Sequence, residues 1–558
     1  MFKDKYTVRA VCVFFLLFFV FDARSVAGET YAVAANETLA KAPDTYTFNE
    51  AVEKARQGDS IILSPGVHKL GVAMKLVGTP EEPIKISGAG DQTVIEVSST
   101  EQQFCLGFKD SQFVEIANVQ FSGCGQISVV LQDSRYFTFK DLSFLEGRYP
   151  ILAKGIDTHH ILIDSVFWNQ DPSGDVYGKI PWSESHHGDY KHLNGSLIYA
   201  NDISGSVIVR NSKITNAFNG VRLKSKKNKP GLMNKNIEIY NNEFHNIRDN
   251  PVEPEVDATN WWVHHNKILD AHGYFSFTEV SGGDWYVFRN IGISRRKLQG
   301  EHTGGKILKF EDHGPVPSGP FLVFNNSWLG DRPIATGGES RNLQYINNAH
   351  QFIDGVDPLK SKSFHDSYRV ESNLVNVPFS ISALQGKNVY LPEFQFSDDV
   401  GLVERSEAVV DAGQEVSVNG YRVKFSGLAP DIGAYEQGGI SDYPPFRFKG
   451  STYTEYPRIV KIDHTSKDGL VLWSSVPLVG ISFEAAAVFQ SGKSVTVPVT
   501  VDEYKIVVRD LDVGSPLKEL RLPSLLGNNG LKMLTWGAVD ADFRIIVGEP
   551  GRRSASAI

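Results

Sequence analysis

The fold is decided by three stretches of similar sequence, Ile116-Ala-Asn118-Val-Gln-Phe121, Phe139-Lys-Asp141-Leu-Ser-Phe144 and Ile163-Asp-Ser165-Val-Phe-Trp168. Each has an apolar residue, a spacer, a small polar residue, two further residues and a large aromatic residue. The three aromatic residues are 23 and 24 positions apart. The pattern returns in Val209-Arg-Asn211-Ser-Lys-Ile214, Ile239-Tyr-Asn241-Asn-Glu-Phe244, Val263-His-His265-Asn-Lys-Ile268 and Val323-Phe-Asn325-Asn-Ser-Trp328, with a degenerate copy in Val287-Phe-Arg-Asn290.

A repeat of this length predicts a solenoid, in which each repeat forms one coil and buries its apolar face only against its neighbours. Residues within the repeat alternate as they do in strands, rather than following the helical period of 3.6. The leucine pattern of leucine-rich repeats is missing, and a propeller needs longer, antiparallel repeats. We therefore predict an all-β fold, a right-handed parallel β-helix, in which the recurrent Asn residues form a side-chain ladder at equivalent turns.

Both ends of the repeat region resemble a known group of proteins. The motifs are Thr47-Phe-Asn-Glu-Ala51, Gly58-Asp-Ser-Ile-Ile-Leu-Ser-Pro-Gly-Val67 and Pro83-Ile-Lys-Ile-Ser-Gly-Ala-Gly90 at the start, and Ala408-Val-Val-Asp-Ala-Gly413 and Pro430-Asp-Ile-Gly-Ala-Tyr-Glu436 at the end. Over residues 43–437 the chain resembles right-handed parallel β-helix proteins of the pectate-lyase-like superfamily, and most nearly their chondroitinase-B and alginate-lyase branch. The resemblance implies the fold and an acidic polysaccharide partner. It leaves the reaction open, because this scaffold hosts several chemistries.

The sequence changes in character after residue 437. Residues 441–452 are rich in Pro, aromatic residues and Gly, and strand-like runs separated by turn signals follow over residues 457–548. We predict a parallel β-helix at residues 28–440 and a small β-sandwich-like domain at residues 441–558. The second domain would cap the open end of the solenoid or bind carbohydrate.

The N-terminus has the features of an export signal. Lys3, Lys5 and Arg9 precede an apolar run over residues 10–21, and Ser25-Val26-Ala27 supplies a small-x-small cleavage site. The apolar run is shorter than the roughly 20 residues that cross a bilayer. We predict that residues 1–27 are a cleaved signal peptide and that the mature protein is soluble, secreted or periplasmic, and not inserted into a membrane.

Composition narrows the expected partners. The formal net charge of −9 gives no electrostatic reason to expect a nucleic-acid partner, and we expect a monomer. Two cysteines, Cys105 and Cys124, remain after the signal peptide. An oxidising compartment permits a disulfide between them, and two separate buried thiols are the alternative that the sequence leaves open.

Charged residues recur on four neighbouring coils where the repeat predicts one face of the solenoid. Equivalent strands of a parallel β-helix stack about 4.8 Å apart and alternate residues point outward, so charges at matching positions form a ladder along a groove. Single charges on such a face are usually solvated and form ion pairs worth about 0–1 kcal/mol, but charges in register favour a site. The candidate strands are Val221-Arg-Leu-Lys-Ser225, Val252-Glu-Pro-Glu-Val256, Tyr274-Phe-Ser-Phe-Thr-Glu279 and Ile307-Leu-Lys-Phe-Glu311.

The residue types on these strands and at their turns suit an acidic polysaccharide. We predict that Lys224 is the general base and that Arg222 and Arg248 steady substrate carboxylates. Further candidates for substrate binding are His265, His272, Glu279, Lys309, Glu311 and His313.

Calcium is the expected cofactor. Glu253, Glu255 and Asp249 offer the hard oxygen ligands that Ca²⁺ prefers, and the related lyase branch holds calcium with acidic residues on neighbouring coils. The chain departs from that branch in one respect. Its lyases carry a Lys and, about one coil later, an Arg in an Arg-His-Gly context, whereas here Lys224 is followed by Arg248 in the context Ile-Arg-Asp-Asn. The Asp-Pro-His-Asp signature of alginate epimerases is also missing.

A long insertion separates the coils that end at Trp168 and Ile214. It contains Trp182-Ser-Glu-Ser-His186-His187-Gly-Asp189-Tyr190-Lys191-His192. Loops on a rigid scaffold often carry functional residues. An ordinary surface loop is the alternative, and the spacing matches no zinc motif. The candidate acids or bases in this loop are Tyr190, His187 and His192, and the candidate platform for a sugar ring is Trp182.

β-Elimination fits these residue types. The C5 proton of a uronate becomes acidic when a metal ion, Arg or Lys neutralises the neighbouring carboxylate; a base then removes it and an acid protonates the leaving oxygen. We therefore predict a lyase for an acidic polysaccharide such as alginate or a glycosaminoglycan.

A C5-epimerase, which shares the first step, and a non-catalytic polysaccharide-binding protein are alternatives. A glycoside hydrolase is a third, although polygalacturonase-like Asn-Thr-Asp and Gly-His-Gly motifs are absent; its carboxylates would come from Glu253, Glu255, Glu279 and Glu311.

Overall fold

The computed structural model describes most of the chain up to residue 436 and several strands beyond it. The predicted signal peptide at residues 1–27 and the predicted domain boundary at residues 440–441 lie outside the described residues. In the part of the chain that is described, no helix has the length and apolar character needed to cross a membrane. The described residues are 28–35, 44–99, 101–174, 188–225, 234–277, 280, 285–295, 304–310, 320–338, 340–394, 396, 408–418, 421–422, 425–436, 459–465, 469–474, 480, 482–489, 491, 493–502, 505–510, 517–522 and 543–546.

The solenoid is built from coils that each contribute one strand to three sheets, here called sheets 1, 2 and 3. Strands within these sheets pair in parallel with the equivalent strands of the coils before and after them. Sheets 2 and 3 are joined in the first coils by two long strands that bend from one sheet into the other, Ile84–Val97 and Gln112–Phe121. The prediction of a parallel β-helix is confirmed.

The strand bounds show how regularly the coils repeat. Sheet 1 contains Val72–Met74, Phe104–Lys109, Ile127–Gln132, Tyr149–Lys154, Ile198–Asn201, Val221–Lys224, Val252–Glu255, Gly273–Ser276, Lys306–Phe310 and Ala335–Gly337. Sheet 2 contains, besides the two bent strands, Thr30–Val33, Thr45–Tyr46, Ser60–Leu63, Arg135–Lys140, His159–Asp164, Gly205–Arg210, Lys235–Tyr240, Thr259–His264, Trp285–Phe288, Phe321–Phe324, Leu343–Ile346 and Arg369–Glu371. Sheet 3 continues with Gly66–Leu70, Ser143–Leu145, Phe167–Asn169, Lys213–Ala217, Glu243–Ile247, Lys267–Ala271, Ile291–Ile293, Ser327–Gly330, Ala349–Phe352, Leu374–Val375 and Val389–Tyr390.

An α-helix, Phe48–Lys54, packs on the first coil. Its start is fixed by a capping box, in which the Glu50 N–H donates to Thr47 Oγ1 (3.3 Å) and the Thr47 N–H donates to Glu50 Oε2 (2.8 Å). Phe48 is buried in the core of the first coil, which this helix shields from solvent. Short 3₁₀ helices lie at Gly188–Leu193, Ile353–Gly355, Ser361–Ser363 and Ser382–Leu384.

The corner between sheets 2 and 3 explains the sequence repeat. The small polar residue of the motif has a positive φ, as at Asn118 (54°) and Asn241 (53°), a conformation that Asn tolerates better than most residues. The residue that follows it is buried. The main amide ladder therefore forms one position later than the recurrent motif Asn, and its members are Asn242, Asn266, Asn290, Asn326, Asn348, Asn373 and Asn388.

Asn266 shows how the ladder joins three coils. Its Nδ2 donates to the Ile239 carbonyl (2.9 Å) of the coil before and to Asn290 Oδ1 (2.9 Å) of the coil after. Its Oδ1 accepts from the backbone N–H of Asn242 (3.1 Å). One side chain thus provides hydrogen bonds for backbone groups that have no strand partner at the sharp corner. Leaving such a buried group unpaired costs about 1–3 kcal/mol.

Asn266→Ala should therefore lower the free energy of unfolding by about 2–4 kcal/mol, because it leaves the Asn242 N–H and the Ile239 carbonyl without partners in the core. Chemical unfolding followed by circular dichroism measures the change. Asn241→Gly is the matched control, since it keeps the positive φ and removes only an exposed hydrogen bond to Asn211. Equal stability of the two variants would contradict a structural role for the ladder.

Cys105 and Cys124 form a disulfide between sheet 1 and the turn after the bent strand Gln112–Phe121. Both residues are also buried in the core. The structure therefore decides between the two alternatives that the sequence left open. A cross-link that closes a loop of this size stabilises a fold by about 3 kcal/mol, mainly by restricting the unfolded chain.

The chain returns to the solenoid after its last coil. Glu436 Oε1 lies 2.9 Å from Arg289 Nη2, and Asn325 Nδ2 donates to the Asp431 carbonyl (2.7 Å). The closing motif, Pro430-Asp-Ile-Gly-Ala-Tyr-Glu436, is thereby fixed against the corner between sheets 2 and 3. A short antiparallel pair lies at Ser417–Val418 and Tyr421–Arg422.

The predicted C-terminal β-rich domain contains a seven-stranded antiparallel sheet. Buried apolar residues such as Ala487, Val499 and Val508 line one side of it. The domain boundary proposed from the sequence stays a prediction. The strands are Ile459–Thr465, Gly469–Ser474, Ser482–Phe489, Ser494–Asp502, Lys505–Val508, Leu517–Leu522 and Phe543–Ile546.

Candidate active site on sheet 1

Two rows of side chains cross sheet 1 at right angles to its strands. The register of the parallel pairs places them: Arg222 lies opposite Glu253, and Lys224 lies opposite Glu255. The first row contains, in coil order, Tyr199, Arg222, Glu253, Ser276 and Lys309. The second row contains Lys154, Asn201, Lys224 and Glu255. We call Arg222, Lys224, Asp249, Glu253, Glu255 and Lys309 the sheet-1 cluster.

Arg222 lies at the centre of the cluster. Its Nε donates to Glu255 Oε1 (2.8 Å), and Nη2 also contacts that oxygen. Nη1 donates to Asn194 Oδ1 (2.8 Å), which comes from the end of the long insertion. The guanidinium also lies over the ring of Tyr199, 5.7 Å from its centroid. These contacts hold the guanidinium plane in one orientation.

The two glutamates of the strand Val252–Glu255 have opposite electrostatic environments. Burial raises the pKa of Glu253 to about 8, with Asp249 and Glu255 adding to the rise against the opposing effect of Arg222. Glu253 Oε2 lies 3.3 Å from Arg222 Nε, but that N–H is directed at Glu255. Burial would also raise the pKa of Glu255, yet Arg222 and Lys224 outweigh burial and lower it. At neutral pH Glu253 is therefore protonated and Glu255 is ionised.

Lys224 forms the exposed edge of the cluster. Its Nζ lies 2.5 Å from Glu255 Oε2, and 43% of its side chain is exposed. Burial favours the neutral amine, but the hydrogen bond to Glu255 and the charge of that carboxylate raise the pKa of Lys224 above its usual value. The assignment of Lys224 as the base stays a prediction. It requires that the amine first lose a proton that Glu255 stabilises.

The far end of the first row adjoins a second group of cations. Lys309 Nζ lies 3.9 Å from Asp249 Oδ1, which accepts a hydrogen bond from Asn250 Nδ2 (2.7 Å). Next to them, His272 Nε2 accepts from Lys306 Nζ (2.9 Å). Burial, and then the charges of Lys306, Arg248 and Lys309, lower the pKa of His272 well below its usual value, so this imidazole is neutral.

The three predicted calcium ligands lie in one region, but each is already matched with a proton or a side-chain cation. Glu255 is bound by Arg222 and Lys224, Asp249 faces Lys309, and Glu253 carries a proton at neutral pH. Among the described residues, no group of three or more His, Cys, Asp or Glu side chains is arranged to hold a metal ion. This donor set does not fit a calcium ion as arranged. Calcium as a cofactor stays a prediction.

The other predicted site residues divide into four groups. Arg248 is only 1% exposed, and its role in steadying a substrate carboxylate stays a prediction. His265 lies at the corner between sheets 2 and 3, beside His264 (2.8 Å between Nδ1 atoms), and not on sheet 1. Tyr190 packs against Phe218 near the cluster, and His192 is exposed. Outside the described residues lie Trp182, His187, Glu279, Glu311 and His313.

The structure adds residues that the sequence analysis missed. Tyr149 and Tyr199 stack with their centroids 4.9 Å apart on the coils before Arg222, and Arg148 lies over the Tyr149 ring. Asn194 joins this platform to the cluster, because its carbonyl accepts from Arg148 Nε (2.7 Å) and its side chain accepts from Arg222. Extending the outward alternation one coil towards the N-terminus would have identified Tyr199, but one coil earlier the same register leads to Leu152 and not to Tyr149. Nothing in the sequence indicates the position of Asn194.

Comparisons with known proteins concern the fold. No family model matches this sequence, and no curated protein matches it. The chain is similar to pectate lyase Pel9A at 13% identity and a TM-score of 0.38, over 74% of this chain and 97% of that one. It is similar to the PL6 family alginate lyase AlyGC at 14% identity and a TM-score of 0.36, over 77% and 61% of the two chains. It is also similar to the GH136 lacto-N-biosidase from Eubacterium ramulus at 9% identity and a TM-score of 0.39, over 63% and 68%.

The sheets of the chain themselves show that its fold is a parallel β-helix. A fold of this kind supports different chemistries. The reaction of this chain therefore has to follow from its own side chains.

The opposite protonation states of Glu253 and Glu255 can be measured directly. We expect ¹³C NMR of labelled carboxyl groups to show one Glu that titrates near pH 8 and disappears in Glu253→Gln. Glu255→Gln should lower the pKa of Glu253, because it removes a neighbouring negative charge, and Arg222→Gln should raise it, because it removes the positive charge. Shifts of the same sign in both variants would contradict this electrostatic arrangement.

Proposed function

We propose that this chain is a secreted or periplasmic enzyme that cleaves an acidic, uronate-containing polysaccharide by β-elimination, with its active site at the sheet-1 cluster. The observation that carries the proposal is the charge balance of the cluster. Arg222, Lys224 and Lys309 surround carboxyl groups of which Glu253 is protonated at neutral pH. A surplus of fixed, partly buried cations attracts an anionic polymer.

Export is part of the proposal and has independent support. The disulfide between Cys105 and Cys124 is of a kind that persists in oxidising compartments, such as the extracellular space and the bacterial periplasm. N-terminal sequencing of the exported protein tests the cleavage site, which we expect after Ala27.

The arrangement along the first row suits the first requirement of elimination. Arg222 lies one coil before Glu253 and Lys309 lies two coils after it. A uronate placed over the row would meet two cations that neutralise its carboxylate and stabilise the charge that develops when the C5 proton leaves. The stacked rings of Tyr149 and Tyr199 continue the groove and would hold the neighbouring sugar units.

The proton transfers follow from the protonation states. The C5 proton passes to the base, for which we propose Lys224 once its amine is neutral. The C5–H electrons form the C4–C5 double bond as the C4–O bond breaks, and Glu253 donates its proton to the leaving oxygen. A carboxyl group with a pKa near 8 holds this proton at neutral pH, where an ordinary carboxyl group would have lost it.

A glycoside hydrolase is the second candidate, because one observation favours it. Glu253 and Glu255 lie on one strand with pKa values moved in opposite directions, the relation found between the acid and the ionised carboxylate of glycosidases. Hydrolysis would yield new reducing ends without an unsaturated uronate, so product analysis separates the two functions.

We expect the purified protein to raise the ultraviolet absorbance of one polymer in a panel of alginate, pectate and glycosaminoglycans, because elimination leaves an absorbing unsaturated uronate. Parallel assays with added calcium and with a chelator test the metal prediction. New reducing ends without this absorbance would show that the protein is a hydrolase and not a lyase. If neither product forms and the protein retains the polymer, the protein binds the polysaccharide without cleaving it.

Two substitutions at one position decide the role of Lys224. Lys224→Ala should lower kcat by about 10²–10⁴-fold if the amine takes part in proton transfer, and Lys224→Arg should be equally impaired, because a guanidinium cannot act as a base at neutral pH. Lys154→Ala is the matched control in the same row of sheet 1, two coils earlier. Recovery of activity in Lys224→Arg would show that Lys224 acts only as a cation.

A further inference from the structure

A second concave site lies on the outer side of sheet 2, away from the sheet-1 cluster. It is a cleft of about 320 Å³ in the early coils. Its lining includes Pro80, Pro83, Phe113, Tyr136, His160 and Arg210. Its size and its mixture of aromatic and polar side chains are those of small-ligand sites in general.

The rings of the cleft form a ladder across three successive coils. Phe113 stacks on Tyr136 with centroids 4.4 Å apart and an interplanar angle of 7°, and Tyr136 lies 4.6 Å from the His160 ring. All three side chains are half-buried. At the coil spacing of about 4.8 Å, the ladder presents a strip about 10 Å long that runs parallel to the axis of the solenoid.

The backbone at these three positions is unfavourable for the residues that occupy it. Phe113, Tyr136 and His160 have φ values of 53°, 58° and 54°, in the left-handed region that bulky residues rarely adopt. Strained conformations of this kind persist where the side chain has a use.

Each of these residues is the second of its sheet-2 strand, at the corner where the chain enters sheet 2 from sheet 1. Later coils carry small polar residues at this corner. In the register of sheet 2, His160 is followed by Ser206, then Asn236, then Asn260, with φ values of 56°, 60° and 58° for these three. Asn in particular tolerates this conformation. In the described coils from Phe113 to Asn260, aromatic rings therefore take this position, in place of better-suited small polar residues, only where the coil lines the cleft.

The polar side of the cleft is held rigidly. Arg210 donates from Nε (2.9 Å) and Nη2 (2.6 Å) to Asp164 Oδ2, and from Nη1 (3.0 Å) to Tyr240 Oη. Glu115 and Thr138 are also among the polar residues that line the cleft. Burial is the main reason that the pKa of His160 is lowered to about 3, so its ring is uncharged over the physiological range.

We propose that this cleft is an accessory binding site for pyranose units of a polysaccharide, separate from the sheet-1 cluster. A sugar ring has apolar C–H faces that pack on aromatic rings and hydroxyl groups that pair with fixed polar side chains, and the cleft offers both along a strip. The site does not depend on the reaction proposed above, since it would bind sugar whether the chain is a lyase, a hydrolase or a binding protein.

The chain itself suggests the variants that test this site. Phe113→Asn and Tyr136→Asn introduce the residue that the same corner carries in later coils, so we expect an unfolding temperature equal to or above that of the unmodified protein. The same variants should weaken binding of hexasaccharides at the cleft at least fivefold. Ser206→Asn is the matched control at the same corner outside the cleft, and its affinity should be unchanged.

Isothermal titration with alginate hexamers and with cellohexaose measures the affinity, on protein carrying Glu253→Gln so that the ligand is not consumed. Saturation-transfer NMR with irradiation of aromatic protons provides the second measurement, with signals from the sugar in the unmodified cleft and weaker ones in Tyr136→Asn. Unchanged affinity and unchanged transfer in both Asn variants would overturn the proposal. A second combination of results would also overturn the proposal: a lower unfolding temperature in both variants and no saturation transfer to sugar in the unmodified protein. The rings would then contribute only to packing. Lyase assays decide the reaction on sheet 1 separately.

Discussion

The structure depends on one constraint, which is that every coil must turn sharply between sheets 2 and 3 without leaving buried backbone groups unpaired. The positive φ at residues such as Asn241 makes the turn, and the buried amide of the next residue, such as Asn242, supplies the missing hydrogen bonds. Because the ladder passes from coil to coil, it also fixes their relative register. Each outward side chain then has a neighbour at a set distance on the next coil.

That register creates the chemistry of sheet 1. It brings Arg222 opposite Glu253 and Lys224 opposite Glu255, although about 30 residues separate the two strands in sequence. Several ionisable groups that pack closely in a partly buried row cannot all keep the protonation states they have in water. Arg222 and Lys224 stabilise the ionised form of Glu255, whereas Glu253, whose Oε2 lies near an N–H that is directed elsewhere, stays protonated. One strand therefore presents a proton donor and an anion two residues apart.

The outer side of sheet 2 is used differently along its length. In the early coils it is open and carries the ring ladder that includes Phe113 and Tyr136. In later coils the equivalent face is apolar and buried. Tyr286 and Phe324 form one cluster there with Val416 from the closing segment, which comprises residues 408–418 and 425–436. The closing segment is held there by the ion pair between Arg289 and Glu436. The same repeating geometry thus supplies an open surface at one end and a covered one at the other.

The sequence by itself determined the period, the parallel β-helix and the strands that carry Arg222, Lys224, Glu253 and Glu255, because periodic burial fixes which residues alternate outward. It also located the recurrent corner, although the buried ladder lies one residue beyond the motif Asn. Only the tertiary structure decided that Arg248 is buried and that His265 lies at a different corner from the cluster. The same is true of the tyrosine platform beside Arg222 and of the contact from Asn194. Loop lengths vary between coils, so contacts across coils, and the burial and protonation states that follow from them, are properties of the stacked solenoid and of no single repeat.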